Sequence, residues 1–191
     1  MAATRTARDV RGNLELSEPA QKLFTPDALA EVFFDTLVKA AQYQDAIRYS
    51  ARLLSRPQAI WWGCLCAWHA LRPTPNEAEV VALQSVVTWL RDPTEVHRRA
   101  IRLTASTATP TSPAGLVAYA AYMSEGSISP AEKPDVPTDP NFLPTFLANA
   151  VLTAARMGPA ADLGNRQMAF LKLAADVYRG QNTWKTPGNS R

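Results

Sequence analysis

The chain is predicted to be all-α, and three observations predict it. A Ser, Thr or Asp stands directly before proline at Thr25-Pro26, Thr74-Pro75, Asp92-Pro93, Ser112-Pro113 and Asp139-Pro140. Each pair reads as a helix start. The side chain accepts from free backbone N–H groups, and proline suits the first helical position, where its missing N–H costs nothing. Between these marks apolar residues recur three and four apart, the helical spacing. Strand-like alternation is absent, and β-branched runs are short. About eight helices are expected, in an antiparallel helical bundle or a short helical-hairpin array, with one long proline-rich loop.

The elements follow in order. Residues 1–18 read as a mobile N-terminal segment, 19–180 as a single helical domain and 181–191 as a C-terminal tail. After Pro26, the residues Leu29, Val32, Phe33, Thr36, Leu37 and Ala40 line one face, and Tyr43, Ile47, Ser50, Ala51 and Leu54 form the next stripe. The run Trp61-Trp62-Gly63-Cys64-Leu65-Cys66-Ala67-Trp68-His69 is apolar nearly all round, the mark of a buried helix. Its stripe Trp61, Leu65 and Trp68 is expected among the least exposed residues. Two capping boxes, Thr74-Pro75-Asn76-Glu77 and Asp92-Pro93-Thr94-Glu95, open the next helices. Their apolar faces are read as Val80, Leu83, Val87 and Leu90, then Val96, Ala100 and Leu103. Leu116, Tyr119, Ala120 and Met123 follow Pro113, and Phe146, Ala150, Val151 and Ala154 follow Pro140, with a ragged start at Pro144. The last helix carries Gln167, Phe170, Leu171, Ala174, Val177 and Tyr178, and Gly180 stops it. No tetratricopeptide or ankyrin consensus is present, which favours an irregular bundle over a named repeat. Residues 125–140 break the rhythm with four prolines in 16 residues, a spacing that favours extended polyproline II backbone.

Composition narrows the function classes. A chain of 191 residues that is 47% hydrophobic buries a real core. The N-terminal residues Arg5, Arg8, Asp9 and Arg11 leave no apolar signal region. The Pro57–Leu71 run is too short to cross ~30 Å of hydrocarbon, so a cytoplasmic protein without a membrane span is expected. The net charge of +3 is too small for a dedicated nucleic-acid binder. Cys64 and Cys66, two apart on a helix, point about 200° apart and do not pair readily; reduced, buried thiols are expected. A zinc site wants about four converging ligands, and beyond Cys66 and His69 the chain supplies none. No nucleophile elbow, P-loop or Rossmann fingerprint is present. Neither a metal nor a cofactor is expected, and no catalytic residue is assigned.

Two features remain as candidate partner sites. Arg91, Arg98, Arg99 and Arg102 make a basic helix suited to carboxylate or phosphate. In the proline-rich loop, Ser127, Ile128, Pro130, Pro134, Val136 and Pro137 are candidates, with Ile128 and Val136 as anchors to the body. Trp184 is expected to fold back onto the core.

Three segments together resemble a known grouping: Ala59-Ile60-Trp61-Trp62-Gly63-Cys64-Leu65-Cys66-Ala67; Ser124-Glu125-Gly126-Ser127-Ile128-Ser129-Pro130 with Val136-Pro137; and Val177-Tyr178-Arg179-Gly180 with Trp184. The chain resembles, from Asp27 to Trp184, an uncharacterised family of small bacterial proteins with a double-Trp–Cys helix, a Gly-Ser-x-x-Pro loop and a closing helix with Gly and Trp. Such proteins are found near secretion loci, the type VI machinery among them. The resemblance implies a structural or adaptor part and carries over no catalytic residue. The expected function is therefore non-catalytic: a protein–protein interaction protein acting as adaptor, chaperone or accessory subunit of a bacterial assembly such as a secretion system. The alternative is a small binder of anionic ligands or nucleic acid through residues 91–102.

Overall fold

The fold is all-α. The computed structural model describes residues 5–72, 74, 76–127, 129 and 134–182. Among them run ten α-helices: α1 (Ala7–Arg11), α2 (Glu18–Lys22), α3 (Ala30–Lys39), α4 (Tyr43–Leu53), α5 (Arg56–Leu71), α6 (Glu77–Arg91), α7 (Glu95–Thr107), α8 (Pro113–Tyr122), α9 (Phe142–Arg156) and α10 (Leu163–Tyr178). A 3₁₀ turn, Ala160–Asp162, leads into α10. Only isolated bridges, Thr6 with Leu29 and Ser127 with Pro137, stand in for β-structure among the described residues.

The prolines mark helix starts, but most caps sit beyond them. Ser112-Pro113 behaves as read: the Ser112 hydroxyl accepts from Gly115 N–H at 3.1 Å, and Pro113 opens α8. For α6 the cap is Asn76, and for α7 it is Thr94, whose hydroxyl accepts from His97 N–H at 3.3 Å. Thr74 and Asp92 therefore stand two residues upstream of the caps. Proline holds the residue before it extended, so the chain is still outside the helix there. Thr25-Pro26 begins a turn, closed by Ala28 N–H to Thr25 C=O, and α3 starts only at Ala30. The capping box that does form at a proline is Ser55 with Gln58, opening α5 with Pro57 in its first turn.

The described part of the N-terminal segment packs on the body. Ala7 and Val10 of α1 are buried. Ala7 and Arg8 donate to Ala28 and Pro26 carbonyls, and Ala30 donates back to Arg5. The Arg5 guanidinium reaches the Leu53 carbonyl at 3.0 Å, satisfying the end of α4. Asp45, buried in α4, accepts from Ser17 N–H and Ser17 hydroxyl at 3.0 and 2.7 Å, fixing the start of α2.

The packing decides between bundle and array. In a repeat array each hairpin touches its sequence neighbours. Here α5 packs on α8, α9 and α10, and α4 packs on α9 and α10. The molecule is a bundle with α5, α8 and α9 at its centre. Gly63 lets them close: a Cβ there would stand 2.9 Å from Leu147 and 3.1 Å from Val117. The Trp62 indole donates to the Phe170 carbonyl at 2.8 Å, tying α5 to α10. No described helix is long and apolar enough to cross a membrane.

Two helix faces differ from the sequence reading. Trp62 and Cys66 are fully buried, whereas Trp61 and Leu65 are half-buried and Trp68 is 36% exposed. His69 lies at the surface, edge-on to the Phe170 ring. On α7 the buried residues are Arg98, Ile101 and Ala105, while Val96 and Leu103 are 77% and 71% exposed. The core stripe of α7 is thus rotated from the predicted one, because a charged residue occupies an inward position.

Candidate functional site

Arg98 organises the region that sequence reasoning singled out. Its guanidinium makes four hydrogen bonds: Nε and Nη2 donate to the two Glu95 oxygens at 2.6 and 2.7 Å, Nη1 to the Tyr122 carbonyl, and Nη2 also to the Ser127 carbonyl at 2.8 Å. The guanidinium also lies over the Tyr122 ring, 4.9 Å from its centroid. Each contact has a reason. The last carbonyls of a helix lack intrahelical donors and carry the negative end of its dipole, and Tyr122 closes α8. The fork of the guanidinium matches a carboxylate two-on-two. Gly126 makes room with φ of +68°, its Cα facing the guanidinium so closely that a Cβ would stand 3.1 Å from Nη2. The Glu95 carboxyl is held down to about 2, first by its hydrogen bond with Arg98.

Arg98 is therefore an internal strut. Its desolvated charge is acceptable because Glu95 pairs with it and four of its five N–H donors are bonded. Arg99 extends the same function outward: Nε donates to Glu95 at 2.6 Å and Nη1 to the Ser129 carbonyl at 3.2 Å. The Ser127 hydroxyl accepts from Val136 N–H at 3.0 Å, and a bridge joins Ser127 to Pro137. At its start the loop is pinned by Glu125, paired with Arg56 of α5 at 2.8 Å.

The predicted site residues thus separate into groups. Arg98, Arg99, Ser127, Val136 and Pro137 come together around the two ends of the loop. Arg102 is exposed on α7, and Pro134 and Val136 are exposed on the loop. Val136, 46% exposed, does not anchor the loop. The anchor is polar and comes from α7. Arg91 belongs elsewhere, on the wall of a groove between α5 and α6. Ile128, Pro130 and Trp184 lie outside the described residues.

Beside this region α7 presents an apolar stripe that the sequence reading assigned to the core. Val96, Ala100 and Leu103 fall on one helix face and are exposed, with Arg99 and Arg102 alongside. The second surface is the α5–α6 groove, about 550 Å³, lined by Trp61, Leu65, Trp68, Val80, Leu83 and Val87. Neither surface is apparent from periodicity, since both consist of residues that a helical wheel places in a core. A third depression, lined by Pro57, Trp89, Leu90 and Pro93, adjoins Arg56 and Glu125. Nearby, the buried Trp89 indole N–H has no acceptor among the described residues.

The cysteines carry no reactive centre. Both are free and buried. Burial pushes the Cys64 thiol up to about 12 and the Cys66 thiol well above its ordinary value. The nucleophilic thiolate is therefore scarce at neutral pH.

Fold and surfaces define the class: an all-α helical bundle whose distinguishing features are an arginine-braced loop and two apolar surface strips. The chain belongs to a family of unknown function, DUF6931, whose model matches residues 33–178. The match ends at Tyr178, before the Gly180 and Trp184 of the third segment that carried the resemblance. No curated protein and no solved structure matches the chain.

Proposed function

We propose that the protein is a non-catalytic interaction protein, an adaptor, chaperone or accessory subunit of a bacterial assembly such as a type VI secretion system. One observation carries the reading: Val96 and Leu103, 77% and 71% exposed, stand in line on the outer face of α7. Scattered surface apolar residues are ordinary, but an aligned pair with Ala100 between them forms a helix-recognition strip. Arg99 and Arg102 flank it. A rigid strip binds with less ordering cost than a mobile one. The partner that fits is an amphipathic segment with acidic residues beside its apolar ones. Arg98 takes no part in contact with it, being spent internally.

The test is cross-linking in native lysate with the wild-type chain and with Val96→Asp/Leu103→Asp, both checked for helicity. A species captured by the wild type should drop at least tenfold with the double variant, the cost of about 1.4 kcal/mol or more. Equal capture by both removes α7 as the surface. Salt-dependent binding of DNA or RNA that is lost on Arg91→Ala/Arg102→Ala would turn the reading toward the anionic-ligand alternative.

A further inference from the structure

We infer that the depression between the start of α5 and the end of α6 binds a free amino acid with an apolar side chain. This goes beyond the α7 surface and does not rest on it. Buried indole N–H groups ordinarily find an acceptor. Two tryptophans of α5 obey: Trp62 donates to the Phe170 carbonyl at 2.8 Å and Trp61 to that of Asn182 at 2.6 Å. Trp89 does not. It is 4% exposed, and its Nε1 has no partner among the described residues. Trp89 also lines a depression of about 530 Å³. That size suits one small organic molecule, and a molecule seated there can bring the acceptor that the fold withholds.

The other lining residues define what else that molecule carries. Pro57, Leu90 and Pro93 give an apolar floor. Arg56 and Glu125 complete the lining, both half-exposed, and Arg56 Nη1 meets Glu125 Oε2 at 2.8 Å. That single bond leaves the other N–H groups of Arg56 and the second oxygen of Glu125 unpartnered among the described residues. A lone carboxylate on Arg56 would leave Glu125 uncompensated, and a lone amine on Glu125 would leave Arg56 so. A zwitterion answers both charges. The helix ends agree with that division. Arg56 and Pro57 stand in the first turn of α5, the positive end of its dipole, and Leu90 in the last turn of α6, the negative end. An exposed ion pair contributes little, so parting Arg56 from Glu125 costs little. The ligand carboxylate then accepts from Arg56 and from the Trp89 indole. Its ammonium donates to Glu125, and its side chain lies on Pro57, Leu90 and Pro93.

The experiment is an NMR titration of the full chain, its indoles isotope-labelled, with L-phenylalanine as the probe. Phenylacetate and phenethylamine, each bearing one of the two charges, are the controls. The Nε1–H signal of Trp89 is assigned by its loss in Trp89→Phe. If that variant does not fold, the signal is the one whose movement disappears in Arg56→Gln, a half-exposed position. Phenylalanine should move it saturably, in about the millimolar range expected of so small a ligand. Each control should bind about tenfold more weakly, the loss of one charge-assisted bond. Arg56→Gln and Glu125→Gln should each weaken phenylalanine by about the same factor. A Trp89 signal indifferent to phenylalanine up to about 10 mM would overturn the inference. So would phenylacetate binding as tightly as phenylalanine, the mark of a plain carboxylate site, or affinity unchanged in both variants. None of these outcomes depends on Val96 or Leu103, so this inference and the α7 reading fail separately.

Discussion

Arg98 shows how one side chain can serve as a structural joint. It is 1% exposed yet bonded to Glu95, to the end of α8 and to the loop at Ser127. Replacing it with Met keeps most of the bulk but leaves two carbonyls without their donor. Arg98→Met should therefore cost about 2–4 kcal/mol at neutral pH, whereas exposed Arg102→Ala should stay within about 0.5. The pH profile identifies the cause. Glu95, depressed to about 2 in the folded chain, contributes stability that is present above its ordinary value near 4.5 and lost as pH falls toward 2. The carboxylate is half exposed, so solvent screens part of the effect. Urea midpoints of wild type and Arg98→Met, compared from pH 7 to pH 2, should draw closer below about pH 4.5 without meeting, because the bonds to the two carbonyls do not titrate. A gap that does not change with pH would mean that the lost carbonyl bonds and packing, and not the ion pair, destabilise the variant.

The elements were legible to different depths. Helix existence, the Ser112 cap and the whole inward face of α10, from Gln167 to Val177, could be read from spacing. The α7 face could not, because a buried arginine breaks the apolar pattern while Val96 and Leu103 complete a false one outside. Glu95 three residues before Arg98 was the available sign: a partner on the same face satisfies an inward charge. Trp61, Leu65 and Trp68 were misplaced for the opposite reason. A helix that is apolar all round offers periodicity no contrast by which to choose a side. The helix ends hide another distinction. α3 finishes with the same bond pattern as α10, Gln42 N–H to Leu37 and Ala41 N–H to Val38, but with Ala41 at φ +57° where α10 has Gly180. An L-residue there carries strain that glycine lacks. Ala41→Gly should stabilise the protein by about 0.5–1 kcal/mol, and Gly180→Ala, with open space around its Cα, should destabilise it by about 1. Chemical denaturation checks both signs. Loss of stability in Ala41→Gly would mean that its methyl contributes packing greater than the strain.

At the scale of the whole molecule, α5 is the element on which cooperativity depends. It packs on α8, α9 and α10, is drawn close by Gly63, and is tied by the Trp62 indole to α10. Its outer side faces the α6 groove while its inner side carries Cys66, with no exposure at all. The Trp–Cys run that looks chemically active in the sequence is in this position a gauge of burial. If the core opens only as a unit, Cys66 meets reagent only in globally unfolded molecules. In a Cys64→Ala chain, the protection of Cys66 against a small thiol reagent, converted to free energy, should then equal the unfolding free energy from urea, of order 5–15 kcal/mol. The raised pKa of the folded thiol does not enter, because the reacting species is the unfolded chain with its ordinary thiol. A protection energy clearly below the urea value would show that α5 separates from α8 and α9 in a local opening, so that the centre of the bundle would not be a single cooperative core.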